Sequence, residues 1–171
     1  LLALVLMCAS IPALAQDRTY VLVSSIGGES TDPAHINWID AYALDTQVLR
    51  PSGSGAQFPD VAFLKGTDRA TPLLHDAVAK GTNFPTANIE VCRPAATRQQ
   101  CYYRINLSTV IVTAVDLAGS SCVGPGACTP TTTESINLDD TRTEGIYTPY
   151  TGGVPGTPVK RCWDIPSNTA C

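Results

Sequence analysis

The tightest local grouping of acid, hydroxyl and imidazole in the chain is Glu29-Ser30-Thr31-Asp32-Pro33-Ala34-His35. Such a mixture can support general acid–base work or ligate a metal. Every member is equally at home in a turn, where short polar side chains satisfy nearby backbone groups. The second grouping is the adjacent carboxylates Asp139-Asp140. They could attract a calcium ion, but two carboxylates fall short of the roughly 6–8 oxygen ligands that ion takes. The third is sulfur: of seven cysteines, Cys92, Cys101, Cys122, Cys128, Cys162 and Cys171 follow an apolar N-terminal block. Their C-x8-C, C-x5-C and C-x8-C spacings do not make a zinc knuckle, and both histidines lie far away in sequence, which argues against a metal site. There is no G-x-S-x-G, P-loop, H-E-x-x-H or G-x-G-x-x-G, so no catalytic, metal-binding or cofactor-binding residues are assigned.

The 1–15 block, LLALVLMCASIPALA, carries no charge and ends in Ala13-Leu14-Ala15, the small-x-small pattern after which signal peptidases cut. It is shorter than the roughly 20 apolar residues a spanning helix needs. It reads as a signal peptide, with a retained hydrophobic arm as the alternative, leaving 16–171 as a single domain. Export places the six downstream cysteines where disulfides form. Six cysteines allow 15 pairings. The simplest set is sequential: 92–101, 122–128 and 162–171. The alternative is reduced, partly buried thiols.

Hydrophobic residues make up 44% of the chain and charged residues 15%, enough apolar material for a core. With net charge −4 and no Lys/Arg run, a nucleic-acid surface is unsupported. Alternating β-branched stretches between turn residues predict strands over 19–26, 36–49, 57–65, 87–93, 101–107, 109–117, 132–139, 145–150 and 159–165. One segment departs from this pattern. Thr71-Pro72 at the front and Gly81 at the end bracket a short helix over 71–80, with Thr71 as the capping hydroxyl and Leu73, Leu74, Ala77 and Val78 on its buried face. His75 reads as a partly exposed residue on that helix. The fold class is therefore mainly β, a barrel or two-sheet sandwich with one helix laid against it.

The stretches 87–93 and 101–107 form a hairpin. Placing Ile89, Val91, Tyr103 and Ile105 on one face sets residue 91 opposite 103, which leaves Cys92 and Cys101 one step out of opposition. A 92–101 disulfide then requires a bulge near the turn.

A longer pattern emerges when these pieces are strung together. Gly28-Glu29-Ser30-Thr31-Asp32 with His35, Ile39 and Asp40 resembles the opening "GES-x-D-x-x-H" signature of the Hcp family, the tube proteins of type VI secretion. Phe58 to Leu74, with Lys65, Asp68, Thr71 and Pro72, is similar to that family's strand-to-helix stretch. Glu134 to Leu138, Gly152-Gly153 and Trp163-Asp164 resemble its closing strands, so the resemblance runs from about residue 20 to 168. It implies a compact β-barrel with one helix, assembling into six-membered rings that stack into a hollow tube. It also implies a contact role for the loop after the second strand, here 46–57, so Thr46, Gln47, Arg50, Pro51 and Gln57 are candidate assembly residues. Gly28, Glu29, Asp32 and His35 are candidates as a shaped turn near a ring edge. An apolar leader, many cysteines and a Cys-bracketed stretch over 120–133 depart from the family pattern and point to a tube built outside the cell.

On this reading the protein is not an enzyme and has no cofactor. Its partner is itself, and it does not insert in a membrane once the leader is removed. The alternatives are a type VI inner tube or effector carrier, with sheath or spike partners, and a monomeric secreted binding module.

Overall fold

The structure, a computed structural model, describes residues 16–95, 99–119 and 132–171. The 1–15 block and the Cys122/Cys128 pair lie outside the described residues.

The strands are β1 (Arg18–Val23), β2 (Ile39–Asp45), β3 (Val61–Gly66), β4 (Asn83–Arg93), β5 (Gln100–Gly119), β6 (Thr132–Asp139), β7 (Arg142–Tyr147), β8 (Tyr150–Thr151), β9 (Val154–Pro155), β10 (Val159–Asp164) and β11 (Thr169–Ala170), with α1 (Thr71–Lys80) between β3 and β4. Nine strands make one sheet in the order β11-β10-β7-β5-β4-β1-β2-β3-β6. A further pairing between β5 and β6 closes six of them into a barrel. Closure removes the open edges of these six strands, while the β7-β10-β11 extension ends at β11.

β5 makes the closure possible. Its first half pairs β4 on one side and β7 on the other; its second half, from Ile111 onward, pairs β6. The sequence predicted two strands here, 101–107 and 109–117. The chain instead runs on as one 20-residue strand. The expected break survives as a kink, because Thr109 has a φ of 54° and a bulge falls between Val112 and Ala114. Bulges turn strands sharply, which lets one strand serve both the barrel wall and the β7-β10-β11 extension.

Alternation fills the barrel. Val21, Val23, Ile39, Phe63, Ile89, Ile105, Leu107, Ile136 and Leu138 point inward with almost no exposure. Helix α1 packs on β5 through Ala70, Leu74 and Ala77, with Val78 half-buried. The expected bounds hold. Pro72 occupies the first turn, and Gly81 takes the left-handed conformation (φ 62°) with its N–H donating to the Ala77 and Val78 carbonyls. Two details differ. Leu73 faces outward, because the seam follows 70, 74, 77 and 78. Thr71 does not cap: Ala70 holds that position without a side-chain bond, and the Thr71 hydroxyl is used elsewhere. His75 is exposed, as expected for its face.

The β4–β5 register places Val91 opposite Tyr103, then shifts so that Cys92 pairs with Cys101. The register and the bulge are those that the hairpin's apolar faces predict. β2 is shorter than 36–49, because the chain is still turning at Asn37 (φ 64°) and leaves the sheet after Asp45. β7 begins three residues before the expected 145 and pairs β10 on its far side.

Candidate functional site

The loop between β1 and β2 is drawn inward. Gly28 N–H donates to the Asn37 carbonyl, Ser30 N–H to the Trp38 carbonyl, Asn37 N–H to the Ser30 carbonyl and His35 N–H to the Asp32 carbonyl. A Cβ on Gly28 would sit 2.5 Å from the Trp38 carbonyl oxygen and 2.6 Å from the Ile39 Cα, so this position requires glycine for close backbone approach. His35 is 2% exposed. Its ring stacks on Tyr20 at 4.0 Å, with Trp38 edge-on at 5.0 Å. Nδ1 lies 2.7 Å from Asp32 Oδ1 and Nε2 lies 3.0 Å from Glu90 Oε2. Glu90 is paired in turn with Arg104. Burial pushes the Asp32 carboxyl upward, but hydrogen bonds from His35 and the Ala34 N–H outweigh it and hold the group below its usual value.

The turn over 28–35 is tied into its own chain. Gly28 and His35 are buried within their own chain, and Asp32 is bound to His35; Glu29 alone of these four candidates is exposed. His35, far from the cysteines in sequence, lies close to one of them in space. β1 pairs β4, which brings the loop over the β4–β5 hairpin, and His35 Nε2 comes 3.9 Å from Cys101 Sγ.

A second buried polar network was not anticipated. Lys65 on β3 stands opposite Glu134 on β6, with Nζ–Oε2 at 2.7 Å and both side chains sealed from solvent. Asp68 Oδ1 lies 2.8 Å from the same ammonium, and the Thr71 hydroxyl donates to Glu134 at 3.0 Å while accepting the Asp68 N–H. The Lys65, Asp68 and Thr71 of the strand-to-helix stretch therefore meet as one unit that ties the start of α1 to the barrel wall.

The loop 46–57 behaves differently. Thr46, Gln47, Val48, Leu49, Arg50, Pro51 and Gln57 are all exposed. Leu49 and Gln57 exchange both backbone hydrogen bonds, so the loop is a ribbon-like arm rather than a slack turn. Val48 is 65% and Leu49 40% exposed; on the strands that flank the arm, Tyr42 of β2 and Leu64 of β3 are 64% and 41% exposed. At the arm's base, Thr46, Gln47, Phe58 and Trp163 line an apolar cavity of about 290 Å³ that also receives Asp140.

Disulfides join Cys92 to Cys101 and Cys162 to Cys171. The first locks the β4–β5 turn. The second fastens the C-terminal residue to β10.

Residues 20–144 match the family model described as "Type VI secretion system effector, Hcp". The chain belongs to the Hcp family. Protein hcp1 of Pseudomonas aeruginosa is 28% identical over 160 residues, covering 87% of this chain and 95% of that protein. Among solved structures, a type six secretion system protein superposes with a TM-score of 0.79 at 22% identity, covering 91% of this chain and all of the other. Hcp1 of Salmonella typhimurium gives 0.77 at 20% identity, covering 92% and 100%. At these identities the solved structures speak for the Hcp fold, which is the closed barrel with one helix described above. In this Hcp protein, the "GES-x-D-x-x-H" and "K-x-x-D-x-x-T-P" patterns mark folding devices, the first a sealed loop and the second a buried ion network.

Proposed function

We propose that this Hcp protein is a structural subunit whose copies close into six-membered rings and stack into a hollow tube outside the cell. The observation that carries the reading is the arm at 46–57. A closed barrel has satisfied its own strands, yet it projects a backbone-paired ribbon with Val48 and Leu49 in solvent beside Tyr42 and Leu64. Exposed apolar side chains grouped on a shaped projection mark a contact surface. A heterologous contact of this kind repeats, closing into a ring or propagating along a stack. Family membership supplies the ring-and-tube geometry. The 1–15 block is its export signal, cut after Ala15, and residues 16–171 are the tube-forming domain. Disulfides at both ends of the β4–β10 region suit a fibre that works in an oxidising medium.

The match to a type VI secretion model also favours a second reading, the inner tube or effector carrier of that machine. Thiol state separates the two: subunits recovered uncut and reduced from the cytoplasm support the machine, and cut, oxidised subunits in the medium support the external tube. Assembly itself is tested by light scattering of the purified 16–171 chain as its concentration rises. A six-subunit species supports the proposal, and a monomer at every concentration overturns it in favour of a secreted binding module.

A further inference from the structure

The His35 loop and the β4–β5 hairpin form one wall of an open cavity of about 990 Å³, which Arg104 and Lys160 also line. Into that wall converge four donors of different kinds. A ring nitrogen of His35, a carboxylate oxygen of Glu90 and the sulfurs of Cys92 and Cys101 all lie within 4.8 Å of one another. Two sulfurs, one imidazole nitrogen and one carboxylate oxygen match the tetrahedral ligand set of zinc. Metal–ligand bonds of about 2.0–2.3 Å put tetrahedral ligand atoms roughly 3.3–3.8 Å apart, so once the disulfide is reduced the two sulfurs must part by roughly 1.7 Å while the widest of the other separations contracts by about 1 Å.

The surroundings are those of a metal ligand as well. Asp32 holds Nδ1 of His35 at 2.7 Å, which turns Nε2 toward the sulfurs and Glu90. A carboxylate on the far nitrogen is the usual way a ligating histidine is oriented. A neutral imidazole has one N–H, yet each ring nitrogen here faces a carboxylate oxygen. Arg104 steadies the other Glu90 oxygen.

We propose that when Cys92 and Cys101 are reduced, they join His35 and Glu90 in binding one zinc ion, so that disulfide and metal are alternative closures of the same hairpin. A thiol reductant breaks the S–S bond, supplying two electrons and two protons and leaving as its own disulfide. Zinc then displaces both thiol protons to solvent, with no change in its oxidation state. A protein disulfide in the exporting compartment reverses this, accepting two electrons as the Cys92–Cys101 bond reforms, and the zinc departs hydrated. The chain would thus be braced before oxidation as well as after it, whether or not copies assemble.

The test is titration of the full chain with cobalt(II) and then zinc, oxidised and after reduction. The reduced chain should take one metal with a cobalt–thiolate charge-transfer band, and the oxidised chain none. Cys92→Ser with Cys101→Ser should abolish the band, whereas Cys162→Ser with Cys171→Ser should retain it. His35→Ala should weaken zinc binding more than tenfold, and Asp32→Asn about tenfold. Equal binding by the oxidised chain, or binding that survives loss of Cys92 and Cys101, overturns the proposal. Should these variants not fold, X-ray absorption of the reduced wild-type chain with one equivalent of zinc decides. Two sulfurs with an imidazole support the site; four sulfurs, or none, contradict it.

Discussion

Lys65 and Glu134 face each other across the β3–β6 pairing with 1% and 0% side-chain exposure, their charged atoms 2.7 Å apart. Two charges removed from water at the heart of a barrel wall bring a desolvation cost that their attraction offsets only while both are present. Asp68 and Thr71 add bonds, but Glu134 Oε1 has no partner among the described residues. Lys65→Met alone should therefore cost about 3–5 kcal/mol. Pairing it with Glu134→Leu should recover most of that loss. Urea unfolding of the two single variants and the double variant gives the coupling directly; additive losses would contradict a paired network.

Asp140 gives a pH signature. Burial first, then Asp139 and Asp60, raise its pKa from 3.8 to about 6. The folded chain therefore holds this proton more tightly than the unfolded chain does. Its contribution to stability is most favourable below about pH 4 and declines as pH rises through 6, after which the penalty is constant. Asp140→Asn keeps the oxygen that accepts from Arg142 and removes the charge. The variant should be more stable than the wild type at pH 7.5 by on the order of 1 kcal/mol after allowance for solvent screening. That gain should vanish toward pH 4. A gap independent of pH in denaturant titrations would rule out Asp140 as its source.

His35 and the arm should separate folding from assembly. His35→Ala opens a hole beside Tyr20 and strands two carboxylates, so it should lower stability by about 2–4 kcal/mol. Val48→Asp with Arg50→Glu changes only exposed positions and should move stability by less than about 0.5 kcal/mol. The arm variant should nevertheless stay monomeric in sedimentation under conditions where the wild type assembles. Unimpaired assembly would remove the arm from the interface.

The two described disulfides should differ in reach. Each closes a loop of about ten residues, for which chain entropy suggests roughly 2–3 kcal/mol. Cys92 is buried in the barrel wall, so Cys92→Ser with Cys101→Ser should lower the unfolding midpoint of the whole chain. β10 begins in exposed residues and β11 is exposed throughout, so Cys162→Ser with Cys171→Ser should mainly speed hydrogen exchange there. Global loss of equal size in both variants would contradict this division.

Local chemistry made much of this readable. Pro72 and Gly81 bracket α1 because one tolerates the missing N–H and the other the left-handed turn. The alternation of Ile89, Val91, Tyr103 and Ile105 fixed the hairpin register and required the bulge that seats Cys92 against Cys101. What stayed hidden depends on contacts between distant residues. Glu134 lies 69 positions from Lys65, and Glu90 lies 55 from His35. No periodicity announces such partners, and a buried Lys reads in sequence as a surface one. The unbroken β5 was missed for a related reason: a strand that kinks at Thr109 looks like two until both its neighbours are known.

Electron microscopy of the culture medium from cells producing the whole chain, with mass analysis of the recovered polypeptide, tests the central claim most directly. The account predicts hollow filaments of uniform width built from chains that begin at Gln16 and carry no free thiol at Cys92, Cys101, Cys162 or Cys171. Soluble single chains in the medium, with no ring or filament at any concentration, would contradict it.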